Sequence, residues 1–149
     1  MIRKARAEKA VEKIRNLPIF FVKDIMGNVF STDQITSGPL LITFFHPECD
    51  HCRYEISSFM GNHLPDSNIK ILLVSYADQT SLVTFMEDLE ISYASNLYVL
   101  IDPDFRMTNM FGAEIIPSNY IYNDSLQLVK IFKGATKPET LLKYLTGND

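Results

Sequence analysis

Leu40-Leu41-Ile42-Thr43-Phe44-Phe45-His46-Pro47-Glu48-Cys49-Asp50-His51-Cys52 is the stretch that decides how the chain is read. Its first six residues form an almost continuous apolar run, the pattern of a strand buried on both faces. After His46, Pro47 and Glu48 comes Cys49, and then Cys52, the only two cysteines among 149 residues. A strand followed at once by two thiols at that spacing can hold both at the first turn of a helix. One thiol then attacks and the other resolves, which is the geometry of reversible disulfide exchange. A single pair closing so short a loop constrains the unfolded chain very little, so its reactivity is the better reason for its presence.

Working outward, the punctuation on either side of this stretch separates further elements. Residues 3–16 are rich in Ala, Glu, Lys and Arg and carry Val11, Ile14 and Leu17 on one stripe, predicting a helix that ends at Pro18. Ile19–Val22 and Val29–Phe30 flank Met26-Gly27-Asn28, a hairpin signal. Helix is expected over Cys49–Leu64, with Ile56, Phe59 and Met60 facing inward. Strand Ile69–Ser75, helix Gln79–Leu89 and strand Leu97–Ile101 follow, and Pro103–Phe111 reads as a helix with proline in its first turn. Strands Asn119–Tyr122 and Leu126–Phe132 and a last helix, Glu139–Leu145, complete the chain. Apolar strands alternating with helices imply a mixed sheet with helices on both faces, an α/β fold.

The charge is uneven. Residues 1–16 hold Arg3, Lys4, Arg6, Lys9, Lys13 and Arg15 against Glu8 and Glu12, a net +4, and the whole chain is −4, leaving −8 for the remainder. The reading is a basic N-terminal helix or tether over residues 1–17 and a single domain over 18–149. An acidic body argues against nucleic acid as a partner. No run approaches the roughly 20 apolar residues that span a bilayer, and the basic start leads into no apolar signal core. The residues fit either a cytosolic protein or one whose export segment lies outside this sequence.

Around the cysteines, the N-terminal end of the expected helix would stabilise a thiolate at Cys49, making it the nucleophile and Cys52 the resolving thiol. Protonated His51 would favour that thiolate, while Glu48 and Asp50 oppose it, each by about 1 kcal/mol at ~4 Å in water. These effects nearly cancel, so the redox direction is open. Glu55, three residues past Cys52, lies on the same helix side one turn on. It is either an ordinary exposed carboxylate or, if burial raises its pKa, an acceptor for the Cys52 proton. Pro117, between Ile115-Ile116 and a strand, reads by itself as a turn.

With these residues in place, the chain resembles the thioredoxin superfamily, in particular its TlpA/ResA-like thiol–disulfide oxidoreductase branch, which is related to the AhpC/TSA peroxiredoxin-like domains. The likeness runs from Phe20 to Leu145 and rests on the opening Val22-Lys23-Asp24-Ile25-Met26-Gly27-Asn28-Val29-Phe30, the strand into C-x-x-C, and the later proline. It implies a thioredoxin-like fold and an enzyme working through a redox-active Cys49–Cys52 disulfide, with no other cofactor and no metal. It implies that Pro117 is cis and packs against the disulfide, and that the Ile116 backbone binds substrate peptide as an added strand. Glu55 matches an acidic residue often found in this branch. Implied partners are protein thiols and disulfides and an upstream thiol reductant. The implied location is the bacterial cell envelope or periplasm, with a membrane tether through a preceding segment left open. Three positions depart from the pattern: Glu48 stands where tryptophan is usual, Thr43 where plain thioredoxins bury an aspartate, and Ser118 where threonine is common.

Three other functions fit less of the sequence. A thiol peroxidase of this fold needs Thr or Ser three positions before its reactive cysteine; His46 and Cys49 occupy those places. A copper or zinc carrier could draw on Cys49, Cys52, His51 and His46, with His63 the one remaining histidine, but four convergent ligands are not apparent. A module that keeps the fold without the chemistry would show no reversible oxidation.

Overall fold

The computed structural model describes the backbone of residues 2–62 and 68–147, and side chains from 8–61 and 68–147. His63 and Leu64, at the expected end of the C-x-x-C helix, lie outside the described residues. In chain order the elements are α1 (Ile2–Ile14), β1 (Phe21–Asp24), β2 (Val29–Ser31), β3 (Leu40–Phe44), α2 (Asp50–Asn62), β4 (Lys70–Ser75), α3 (Gln79–Asp88), β5 (Leu97–Ile101), α4 (Arg106–Phe111), β6 (Ser118–Tyr122), β7 (Leu128–Lys133) and α5 (Pro138–Leu145). The strands form one mixed sheet in the order β2-β1-β5-β4-β3-β6-β7. β3, β4 and β5 run parallel at its centre, and the hairpins β1–β2 and β6–β7 close it with antiparallel strands. The expected mixed α/β sandwich is the fold observed.

Period-2 alternation along the buried strands divides the core. Leu41, Ile71, Leu73, Val99 and Ile121 face α2, α3 and α5, meeting Ile56, Phe59, Phe85 and Leu141. Leu40, Ile42, Phe44, Leu72 and Leu100 face the other way, toward Ile14, Met107 and Phe111. Thr43 and Asn119 are direct partners in the β3–β6 register. Both are buried, two polar side chains on otherwise apolar strands.

The basic segment forms α1, and its end is anchored. Ile14 is buried, its carbonyl accepts the Tyr122 hydroxyl at 2.5 Å, and the Arg15 carbonyl accepts the Leu128 N–H at 2.8 Å. Among the described residues no helix is long and apolar enough to cross a membrane.

Several local details differ from expectation. The first hairpin strand is Phe21–Asp24, not Ile19–Val22, and the last strand begins at Leu128, not Leu126, because Leu126 takes a positive φ in the turn. The α4 helix starts at Arg106, not at Pro103, because the buried Asp102 carboxylate accepts from the N–H groups of Met107 (3.2 Å) and Thr108 (2.9 Å) and so fixes where the helix begins. The Gly38–Pro39 bond is cis, where the sequence shows only the punctuation before a strand. Glycine is required at position 38, where a Cβ would sit 2.2 Å from the Asn123 carbonyl oxygen.

Candidate active site

The loop His46-Pro47-Glu48 carries the chain from the end of β3 into α2, and it is tied down on both sides. The Glu48 N–H donates to His46 Nδ1 at 3.1 Å, and the Cys49 N–H donates to the His46 carbonyl at 3.0 Å. From α2, Arg53 Nη1 donates to the Pro47 carbonyl at 3.1 Å, while its guanidinium lies over the Phe85 ring and approaches Asp88 at 3.8 Å. One arginine therefore joins the loop, α2 and α3.

Cys49 stands just before the first residue of α2, one position earlier in role than the sequence suggested. It acts as the N-cap: its carbonyl accepts the Arg53 N–H at 3.0 Å, and its sulfur accepts the Cys52 N–H at 3.2 Å. The sulfur thus sits at the helix N-terminal end, in contact with one of its otherwise unpaired N–H groups. Cys49 is half-buried and Cys52 is fully enclosed, and both are free thiols in this structure. Burial, the neighbouring Cys49 and the negative charge of Glu55 all push the Cys52 thiol far above its ordinary range. The two cysteines are thus unequal in the sense disulfide exchange requires: one open to a visitor, one kept protonated inside.

Glu55 is 3% exposed. Desolvation raises its pKa to about 7, although two donors oppose the rise. Both donate to Oε1: the Thr136 backbone N–H at 2.7 Å and Asn119 Nδ2 at 3.0 Å. Asn119 Oδ1 in turn accepts the Thr43 hydroxyl at 2.7 Å. Of the two readings of Glu55 open in the sequence, the exposed helix carboxylate is excluded. Asn119 and Thr136 were missed. For Asn119 the available signal was a polar side chain, like that of Thr43, inside a buried strand, because such groups persist only when hydrogen-bonded; Thr136 acts through its backbone N–H, which its residue type does not signal.

The Ile116–Pro117 bond is cis. The β3–β6 register pairs Phe44 with Ser118, which sets Pro117 level with the loop that leaves β3. Ile116 packs against the core cluster that contains Cys52. Ser118 turns its hydroxyl back to the Ile115 carbonyl. Glu48, Asp50 and His51 are exposed around Cys49. The His46 ring lies 5.0 Å from that of Tyr76, which lies 4.7 Å from Phe105. Among the described residues no three His, Cys, Asp or Glu side chains converge as a metal-holding group.

A central mixed sheet with two inequivalent thiols at the start of a helix, and a cis-proline at the same sheet end, defines a thioredoxin-like protein. The AhpC/TSA family model matches residues 15–131, and the chain belongs to the AhpC/TSA family. The fold is shared with a secreted Mycobacterium tuberculosis disulfide oxidoreductase homologous to Escherichia coli DsbE (TM-score 0.76, 16% identity, covering 91% of this chain and 98% of that one). It is shared with StoA from Bacillus subtilis (TM-score 0.69, 18% identity, 89% and 98% covered). The exposed lipoprotein thioredoxin Etrx1 from Streptococcus pneumoniae is also similar (TM-score 0.67, 18% identity, 87% and 99% covered). A search of curated proteins finds no match. At these identities the likeness establishes the fold, consistent with the TlpA/ResA-like branch.

Proposed function

We propose that the protein is a thiol–disulfide oxidoreductase that reduces disulfides in other proteins. The observation that carries this reading is the asymmetry of the pair: Cys49 open with an N–H aimed at its sulfur, Cys52 enclosed with Glu55 one turn along. The Cys49 thiolate attacks a substrate disulfide, forming a mixed disulfide and releasing one substrate thiolate. Glu55 then takes the proton from Cys52. The Cys52 thiolate attacks Cys49 Sγ, the bond to the substrate breaks, and the second substrate sulfur leaves as thiolate. Two electrons have passed to the substrate, and the Cys49–Cys52 disulfide awaits an upstream thiol reductant.

In this scheme Ile116 and Pro117 position the substrate chain against the sulfurs. His51, Asp50 and Glu48 set the charge around Cys49. A cell-envelope location is supported by the secreted and lipoprotein character of proteins sharing the fold. The family also raises a thiol peroxidase, but position 46, three before Cys49, holds histidine in place of a peroxide-binding Thr or Ser.

The test is trapping. Cys52→Ser offered a disulfide-bonded protein accumulates reductant-sensitive adducts through Cys49, while Cys49→Ser forms none and turns over at the uncatalysed rate. Absence of adducts with Cys52→Ser contradicts the scheme, and peroxide consumption by the wild type without disulfide reductase activity replaces it with the peroxidase reading.

A further inference from the structure

Beneath α2, three polar side chains from three different elements are joined end to end in the apolar core. Thr43 on β3 is 2% exposed and Asn119 on β6 is 0% exposed. The Thr43 hydroxyl donates to Asn119 Oδ1 and the Asn119 NH₂ donates to Glu55; the carboxylate can only accept, so it sets the amide's orientation, and the hydroxyl completes it. The Thr136 N–H reaches the same Glu55 oxygen from the segment leading into α5. Buried polar groups are costly unless every member is paired, and here the pairing is directional, running from hydroxyl to amide to carboxylate.

We propose that Asn119 is a positioning residue for Glu55: held by Thr43, it reserves Oε1 as a permanent acceptor and makes Oε2 the oxygen that gains and loses the proton. The proposal rests on the reading of Glu55 as the acceptor for the Cys52 proton. A proton placed on Oε1 would face two N–H donors, so both ionisation states keep Oε1 bare. Among the described residues Oε2 accepts from no donor, and no fully enclosed side-chain oxygen lacks a partner, so Oε2 is the oxygen open to solvent. Glu55 borders a cleft of about 550 Å³ between α2 and the segment before α5. The proton released from Cys52 Sγ binds Oε2 and then passes to water in that cleft, leaving the carboxylate as it began.

The groups around Glu55 are Cys52 and Tyr54 from α2, Thr43 from β3, Asn119 from β6, Thr136 and Lys137 from the segment entering α5, and Glu139 from the first turn of α5. Tyr54, Lys137 and Glu139 are exposed at the cleft mouth, where water screens their charge. The directed donors on Oε1 are therefore the main protein contribution holding the ionised form within reach.

The experiment follows the Glu55 carboxyl carbon and the Asn119 side-chain amide by NMR over pH in the full chain, with Glu55→Gln identifying the carboxyl signal. In the wild type the Asn119 amide signals move with the same midpoint as Glu55. Asn119→Leu removes one donor to the carboxylate and raises that midpoint by about one to two pH units. Thr43→Val, which leaves Asn119 Oδ1 without its donor and loosens the amide, gives a smaller shift in the same direction and serves if Asn119→Leu does not fold. An unmoved Glu55 midpoint in either folded variant, or wild-type amide signals indifferent to Glu55, overturns the proposal. The pH profile of substrate release from the mixed disulfide separates the two readings. A profile that follows the shifted midpoint supports both, whereas a shifted midpoint with an unchanged profile sustains the positioning role and removes Glu55 from the chemistry.

Discussion

Folding takes the Glu55 carboxyl out of water and gives it two donors, and the two effects act in opposite directions. Burial wins, setting the pKa at about 7 against an ordinary value of 4.5. The native state then holds this proton more tightly than the unfolded state. The resulting stabilisation is complete below pH ~4.5 and is lost as pH rises through about 7. Removing the charge removes the loss: the stability of Glu55→Gln relative to wild type increases between pH 5 and pH 8 by on the order of 2–3 kcal/mol, read by denaturant unfolding at the two pH values. The chemistry runs the other way. In the proposed mechanism only the carboxylate accepts the Cys52 proton, so resolution is expected to speed up as pH passes 7 in the wild type, and Glu55→Gln to lose that limb. A Glu55→Gln profile identical to wild type in rapid-mixing kinetics would contradict the assignment. At this scale the cysteines were legible from spacing alone. Glu55 was ambiguous because its neighbours, Asn119 and Thr136, lie 64 and 81 residues away in sequence.

Elements owe their limits to single side chains that propensity does not weigh. α4 has six residues and is bounded by Phe105 and Gly112, both with positive φ. Asp102 supplies its missing cap from the end of β5, accepting from two N–H groups and the Thr108 hydroxyl. Asp102→Ala leaves those donors unpaired in a buried place and destabilises the protein by about 2 kcal/mol or more. Chemical denaturation measures this, and a change below about 0.5 kcal/mol would show that the cap is dispensable. The strands and the longer helices were legible because their apolar spacing is strong. The α4 start was not, because Pro103 is an acceptable first-turn residue and nothing in the local sequence reveals that Asp102 reaches forward. Likewise Gly38-Pro39 announces a turn, but the need for glycine comes from the Asn123 carbonyl, which only the folded sheet brings near.

Across the whole molecule, the sheet turns one face to α2, α3 and α5 and the other to α1 and α4. The parallel order of β3, β4 and β5 puts the end of β3 and the start of α2 at the C-terminal end of these central strands. The antiparallel β6 starts at that same end of the sheet, which brings cis Pro117 there. The α/β class followed from the alternation of elements, but the strand order did not: that β1 pairs with β5 is a long-range choice that local patterning leaves open. This architecture has one purpose in the account, to keep two sulfurs adjacent while only one meets solvent. The direct measurement is a redox-buffer titration read by intact mass after thiol alkylation. The account predicts a single two-electron transition in which Cys49 and Cys52 lose alkylation together, as one intramolecular disulfide. Two thiols that stay alkylatable across the range, or that oxidise independently, would contradict it.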